Sequence, residues 1–91
     1  MEFDWDPQKA ASNLRRHNVS FGEAATVFRD PLSITVPDPD HSRNEDRSIT
    51  LGLSHRGRFL MVAHTERGDR LRIISARALT RTERMQYEEG C

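Results

Sequence analysis

The first thirty residues place apolar side chains at helical spacing behind two helix-start signals. Asp6-Pro7 offers an N-cap residue followed by a first-turn proline, and Ser20-Phe21-Gly22-Glu23 offers a capping box. Asn18 suits the left-handed conformation that ends many helices. Asp30-Pro31 ends the second predicted helix, because a residue before proline disfavours the α region. The pattern predicts two short N-terminal helices.

From Leu32 onward the apolar period changes to two, which is typical of strands. The glycine-containing turns at 55–57 and 66–69 separate apolar runs, and Thr80-Arg81-Thr82-Glu83 is a further capping box that opens a C-terminal helix. A polar loop without any pattern covers residues 37–44. The predicted strands form an antiparallel meander over residues 32–36, 49–53, 59–63 and 71–76. The sequence leaves open whether residues 2–4 form a further short strand.

Two of these strands, 59–63 and 71–76, are apolar on both faces, so we expect helices to cover part of each side of the sheet. The chain of 91 residues is too short for two hydrophobic cores. The sequence therefore predicts one α+β domain over residues 1–91, with two N-terminal helices, an antiparallel β-sheet of about four strands and a C-terminal helix.

The composition, 35% hydrophobic and 31% charged, is that of a small soluble globule. No run approaches the roughly 18 apolar residues of a spanning helix, and the first residues lack the features of a secretory signal. We therefore expect a cytoplasmic protein without membrane contact. Cys91 is the only cysteine, which excludes an internal disulfide and a thiolate metal cluster.

Charge is distributed unevenly although the net charge is zero. Residues 1–42 carry a net charge of −3, whereas residues 43–84 hold ten arginines and carry +5. Thirteen of the fourteen basic residues are Arg, whose planar guanidinium suits bidentate binding of phosphate or carboxylate. The second half is therefore a candidate surface for a polyanion, although arginine also solvates exposed sheet faces.

The motifs of metal and cofactor enzymes are missing from the sequence. It contains no HExxH, cysteine pair, calcium loop, Gly-rich phosphate loop, nucleophile elbow or Rossmann fingerprint. The four histidines match no ligand spacing. We therefore expect neither a metal nor a cofactor.

Cleavage of RNA by its own 2′-hydroxyl needs a base, cations around the phosphorane and an acid, but no metal. Glu45 or His64 could act as the base, and His64 or Tyr87 could act as the acid. Glu83 and Arg84 lie in the first turn of the last predicted helix, with Tyr87 on the same helical face as Glu83. Purely structural roles stay open as well: His64 as a hydrogen-bonded, half-buried side chain, and Glu83 as a helix cap.

The charge of the phosphorane could be stabilised by Arg77 together with Arg72 or Arg47. Arg72 and Arg77 are five residues apart, so a regular strand points them to opposite faces. They can serve one site only if a bulge or the strand end re-aims one of them. The structural alternatives are a surface ion pair between Arg47 and Glu45, worth under about 1 kcal/mol, and an ion pair between Arg77 and Glu83.

An ordered series of motifs runs from residue 3 to residue 87. In chain order they are Phe3-x-Trp5-Asp6-x-x-Lys9-x-x-x-Asn13, His17-x-Val19-x-Phe21-x-x-Ala24-x-x-Val27-Phe28-x-Asp30-Pro31, Glu45-x-Arg47, Gly52, Val62-x-His64, Arg72-Ile73-Ile74-Ser75-Ala76-Arg77 and Glu83-Arg84-x-x-Tyr87. The set resembles the BrnT toxin family of bacterial type II toxin–antitoxin systems. Two positions depart from the family pattern: Asn18 stands where Gly is usual, and Arg16 stands where Lys is usual.

The resemblance implies a RelE-like α+β endoribonuclease toxin that arrests growth by cutting RNA. It also implies a cognate BrnA-like antitoxin with a ribbon-helix-helix DNA-binding domain, in a two-plus-two complex that binds operator DNA through the antitoxin. Catalytic roles are carried over to the matched positions Arg77, Arg72, Glu45, Arg47 and His64. The resemblance also leaves open Tyr87, Glu83 and Arg84 as acid, base or substrate-binding residues.

Two other classes of protein stay open beside the toxin. One is a catalytically silent nucleic-acid-binding module, whose Arg-rich half binds phosphates. The other is a protein-interaction module that docks a second chain. Binding of RNA without cutting would indicate the first, and neither binding nor cutting would indicate the second.

Overall fold

A computed structural model describes residues 2–38 and 46–89 as a five-stranded sheet with flanking helices. The strands are β1 (Glu2–Asp4), β2 (Ile34–Pro37), β3 (Arg47–Leu53), β4 (Phe59–Arg67) and β5 (Arg70–Ala78), in the spatial order β1-β5-β4-β3-β2. The helices are α1 (Pro7–His17), α2 (Phe21–Thr26) and α3 (Arg81–Glu89), and a 3₁₀ turn (Val27–Arg29) follows α2. Within the described ranges, no helix combines the length and apolar character needed to cross a membrane. Most of the predicted loop at 37–44 lies outside these ranges.

The local sequence signals set the helix ends as predicted. The Asp6 carboxylate accepts a hydrogen bond from the backbone N–H of Gln8 at 2.8 Å. The Ser20 hydroxyl accepts one from the N–H of Glu23 at 3.0 Å. Asn18 follows α1 in the left-handed conformation, with φ of 57°. These contacts satisfy backbone groups that each helix end would otherwise leave unpaired.

The prediction of about four strands, all antiparallel, is wrong at one edge of the sheet, where the short strand that the sequence left open at residues 2–4 is present as β1. Strand β1 adds a fifth strand and pairs in parallel with β5, so that Glu2 lies opposite Arg70 and Asp4 lies opposite Arg72. Three residues are too few to show a period of two, and the partner strand lies near the other end of the chain. The pairing is therefore invisible to local pattern. The antiparallel meander from β2 to β5 is confirmed.

The two faces of the sheet have different surroundings. Helices α1 and α2 and the 3₁₀ turn pack on one side, here the covered face, around a core that includes Phe21, Val27, Leu60 and Val62. Among the described residues, the other side, here the open face, is flanked only at one end, by α3, which has no buried residue. The prediction that helices cover part of each side is thus confirmed, but they cover far less of the open face than of the covered face.

A buried ion pair joins α2 to the turn between β3 and β4. The Glu23 side chain is buried, and both of its carboxylate oxygens accept hydrogen bonds from Arg58. The Ser54 hydroxyl donates a further one at 2.7 Å. The hydrogen bonds from Arg58 lower the pKa of Glu23 to about 2. The ion pair with Arg58 therefore explains the low pKa of Glu23. The pair lies on the side of the covered face and has a structural role.

Candidate active site

The open face holds a concavity of about 360 Å³ beside β5. Its floor is apolar and includes Ile49 of β3 and Ala63 of β4. Polar and charged groups reach it from three separate elements: Arg77 from β5, His17 from the end of α1, and Asp38 from the end of β2. A water-accessible hollow with convergent polar groups is the usual form of a binding or catalytic site.

A bulge in β5 places two of the predicted arginines on this face. The register between β4 and β5 shifts at Ala63 and His64, which leaves Ile74 without a partner. One extra residue reverses the alternation of side chains beyond it. Arg72 and Arg77, although five residues apart, therefore both point to the open face. The bulge that Arg72 and Arg77 need in order to serve one site is therefore present.

Arg47 and Arg72 lie in one row at the far end of the open face. Both are paired with Thr65 of β4, one on each side, so their backbones are separated by two strand spacings, about 10 Å. Arg72 also donates to the Asp4 carboxylate at 3.4 Å. Arg77 lies four β4 residues further along the sheet, about 13 Å from this row. The structure therefore brings the three arginines to one face but into two rows.

Arg77 forms a bidentate ion pair with Glu83 at the start of α3. Its Nη1 and Nη2 atoms donate to Oε1 and Oε2 of Glu83, each at 2.8 Å. Glu83 also completes the predicted capping box, accepting from the N–H of Thr80 at 2.9 Å and donating its own N–H to the Thr80 hydroxyl at 3.1 Å. Arg77 and the backbone of Thr80 together lower the pKa of Glu83 to about 2.

The ion pair leaves part of the Arg77 guanidinium available. Of its five N–H groups, two are taken by Glu83, and Nη1 donates a third to the Ala78 carbonyl at 3.2 Å. The Nε–H and the second Nη2–H have no partner among the described residues. These two groups lie side by side on one edge of the planar guanidinium, which is the arrangement that binds two oxygens of a phosphate. We call this edge the free fork of Arg77.

His64 is separated from the arginines by the sheet itself. It lies on the covered face, 4% exposed, where Nε2 hydrogen-bonds the Thr50 hydroxyl at 2.7 Å. Its ring packs edge-on against Phe28 with centroids 4.9 Å apart. Burial lowers the pKa of His64 below its ordinary value. The structure thus places this predicted acid or base away from the concavity, in surroundings that match the structural alternative.

The two other candidates on α3 hold the helix to the sheet. The Tyr87 hydroxyl donates to the Leu32 carbonyl at 2.8 Å, and its ring lies 5.7 Å from that of Phe59. The Arg84 guanidinium lies 4.6 Å from the centre of the Phe59 ring and donates to Glu88 at 3.2 Å. Both side chains are therefore engaged in packing contacts beside the open face.

The concavity also contains side chains that sequence reasoning did not select as catalytic, namely His17 and Asp38. Both come from segments far from β5 in the chain, so only the tertiary packing brings them to Arg77. No spacing rule could have found them. The predicted base Glu45 lies outside the described residues. In the part of the chain that the structure covers, no three His, Cys, Asp or Glu side chains are grouped to hold a metal ion.

The fold and the site define a small α+β protein whose open face offers cations to a polyanion. The sequence model of the BrnT family, described as the ribonuclease toxin of a type II toxin–antitoxin system, matches residues 5–83. The chain belongs to this family, which implies an RNA target and an antitoxin partner.

A solved structure gives the same fold. The chain is similar to the ribonuclease toxin BrnT of Brucella abortus, known from a 1.1 Å crystal structure, with a TM-score of 0.71 and 20% sequence identity. The similarity covers 89% of this chain and 99% of the Brucella chain. No curated protein sequence matches the chain.

Proposed function

We propose that the protein is a metal-independent endoribonuclease, folded as a single RelE-like toxin domain, that cleaves RNA bound on the open face. The observation that carries this proposal is the β5 bulge, which places Arg72 and Arg77 on one face. Membership of a ribonuclease family implies that the polyanion is RNA. Arg72 and Arg77 are cations that RNA can contact on the open face. The side chains of Arg72 and Arg77 are partly exposed, and neither residue belongs to the hydrophobic core.

The free fork of Arg77 stabilises the phosphorane. Its two N–H groups bind two nonbridging oxygens, while Glu83 fixes the guanidinium from the opposite edge. Preorganised donors of this kind stabilise charge that develops in the transition state. Arg72 and Arg47, about 13 Å away along the sheet, suit neighbouring phosphates of the same strand.

The reaction transfers two protons. The 2′-oxygen attacks phosphorus and loses a proton to a base, the bond to the 5′-oxygen breaks, and that oxygen gains a proton from an acid. The products are a 2′,3′-cyclic phosphate and a 5′-hydroxyl. Glu45 stays the candidate base from the sequence. His64 serves in this proposal as a support of the sheet, because it is buried on the covered face.

The antitoxin neutralises the toxin by covering the open face. In this proposal it is a BrnA-like protein with a ribbon-helix-helix domain, which forms a two-plus-two complex and binds operator DNA. A cationic surface is readily blocked by a segment that brings carboxylates. Support comes from the family's type II system and from the partly exposed arginines of the open face.

The test is cleavage of RNA in the presence of EDTA by the wild type and by Arg77→Ala. Loss of one preorganised donor typically costs 10²–10³ in rate, about 3–4 kcal/mol, so we expect a fall of that size. Arg29→Ala is the matched control, because Arg29 is exposed on the 3₁₀ turn of the covered side. Thermal unfolding of each variant separates lost chemistry from lost folding.

Expression in cells completes the test. We expect growth arrest by the wild type, none by Arg77→Ala, and rescue by the adjacent antitoxin gene. RNA binding without cleavage by the wild type would indicate the silent module instead. Cleavage that EDTA abolishes and one divalent ion restores would contradict metal independence.

A further inference from the structure

We infer that His17 is the general acid of this site, donating a proton to the 5′-oxygen as it leaves. The inference deepens the proposed function and rests on it. His17 is the last residue of α1, which packs against the covered face, yet this residue lines the concavity together with Arg77. The helix therefore brings an imidazole around the edge of the sheet to the site of the arginines.

Asn13 fixes the position of this part of α1. Its side chain donates to the carbonyl of Ala76 at 2.8 Å and accepts from the N–H of the same residue at 3.1 Å. It also donates to the carbonyl of Val19 at 2.9 Å. In the described ranges β1 pairs with β5 at residues 70–72 and not at Ala76, where the amide of Asn13 hydrogen-bonds the strand edge instead. His17 lies four residues later and therefore on the same side of the helix.

The chain beyond His17 is fixed as well. Asn18 turns the backbone in the left-handed conformation and donates its N–H to the Leu14 carbonyl at 2.9 Å. The Asn18 carbonyl accepts from Arg58 at 3.0 Å. The backbone that carries the imidazole is thus held on both sides, which limits the region that the ring can reach.

None of these structural contacts uses the His17 ring. The side chain is exposed and, among the residues that the structure describes, makes no hydrogen bond or ion pair. Asn13 anchors the helix, and Asn18 ends it. The backbone that carries the imidazole is therefore fixed, while the ring stays available to a bound molecule.

The other groups around the concavity are less suited to donate a proton. The guanidinium of Arg77 does not release its protons in proteins, and the Asp38 side chain is buried and already has an interaction partner. Imidazole both gives and takes protons and is the commonest side chain in general acid–base catalysis. With Arg77 on the phosphorane oxygens, His17 approaches the same phosphate from the α1 side of the hollow.

The test compares two substrates at the linkage that the wild type cleaves. One is ordinary RNA, and the other carries sulfur in place of the bridging 5′-oxygen. A thiol is far more acidic than an alcohol, so the sulfur leaves without a proton from the protein. We expect His17→Gln to lose at least about 100-fold on ordinary RNA and only a few-fold on the sulfur substrate.

Two further variants make the result specific. Arg77→Ala should lose activity on both substrates, because the phosphorane charge is similar in each. His55→Gln, in the β3–β4 turn on the helical side, removes a histidine outside the concavity and should cleave like the wild type. An equal loss by His17→Gln on both substrates, or no loss on ordinary RNA, would overturn the role of His17 while leaving the ribonuclease in place. A wild type that cuts neither substrate would overturn both.

Discussion

The guanidinium of Arg77 is shared between a protein carboxylate and open solvent. Its bond to Glu83 occupies the outer pair of N–H groups, and the free fork lies on the adjacent edge. An ion pair at this exposure adds little to stability, but it fixes the plane of the guanidinium. The two roles that the sequence left open for Arg77, catalysis and pairing with Glu83, are therefore compatible. Glu83 acts as a positioning residue.

Glu83→Gln isolates this positioning role. Glutamine can still complete the capping box with Thr80, but it loses the charge and one of the two oxygens that hold Arg77. We expect kcat for RNA cleavage to fall about 10- to 100-fold, because a misplaced catalytic group costs rate steeply, while the melting temperature changes little. Glu88→Gln on the same helix is the matched control. Wild-type kcat in Glu83→Gln would show that Arg77 needs no such support.

At the scale of elements, the sequence predicts what local interactions decide. The helix ends follow from side chains that bond backbone atoms two or three residues away, as at Asp6 and Ser20. The bulge at Ile74 has no such signal, because it depends on the register of β5 against β4. The sequence could therefore name Arg72 and Arg77 and state the condition for a shared site, but it could not show that the condition holds. It could not place His17 there at all.

Asn13 joins elements that are 63 residues apart in the chain. Asn13→Ala leaves the N–H and carbonyl of Ala76 without partners in a buried place, and each such group costs about 1–3 kcal/mol. We expect the free energy of unfolding to fall by about 2–4 kcal/mol in urea titrations, with reduced cleavage as α1 loosens. Ser12→Ala, one position earlier on α1, is the control. A loss under about 0.5 kcal/mol would mean that water satisfies the edge of β5 equally well.

At the scale of the whole molecule, the fold redistributes the charge that the chain carries. The sequence places the basic half at residues 43–84, yet Lys9 and Arg16 from the acidic half lie beside β5 in a hollow of about 240 Å³ that includes Ser75. These two cations adjoin the concavity of Arg77, since Ser75 and His17 line both hollows. The basic surface therefore continues from the open face around the sheet edge onto α1. Neither half of the sequence shows this by its net charge.

The salt dependence of RNA binding tests this continuous surface. Each phosphate that a protein neutralises on a single strand contributes about −0.7 to the slope of log K against log salt concentration. Removing two contacts with Lys9→Ala/Arg16→Ala should therefore make the slope shallower by about 1.4. The ligand is an RNA with 2′-methoxy groups, which cannot be cleaved because it lacks the attacking hydroxyl. The control is Arg29→Ala/Arg56→Ala, which removes the same charge from the helical side. Equal slopes for the two double variants would show that RNA senses only the total charge and that its path does not follow α1.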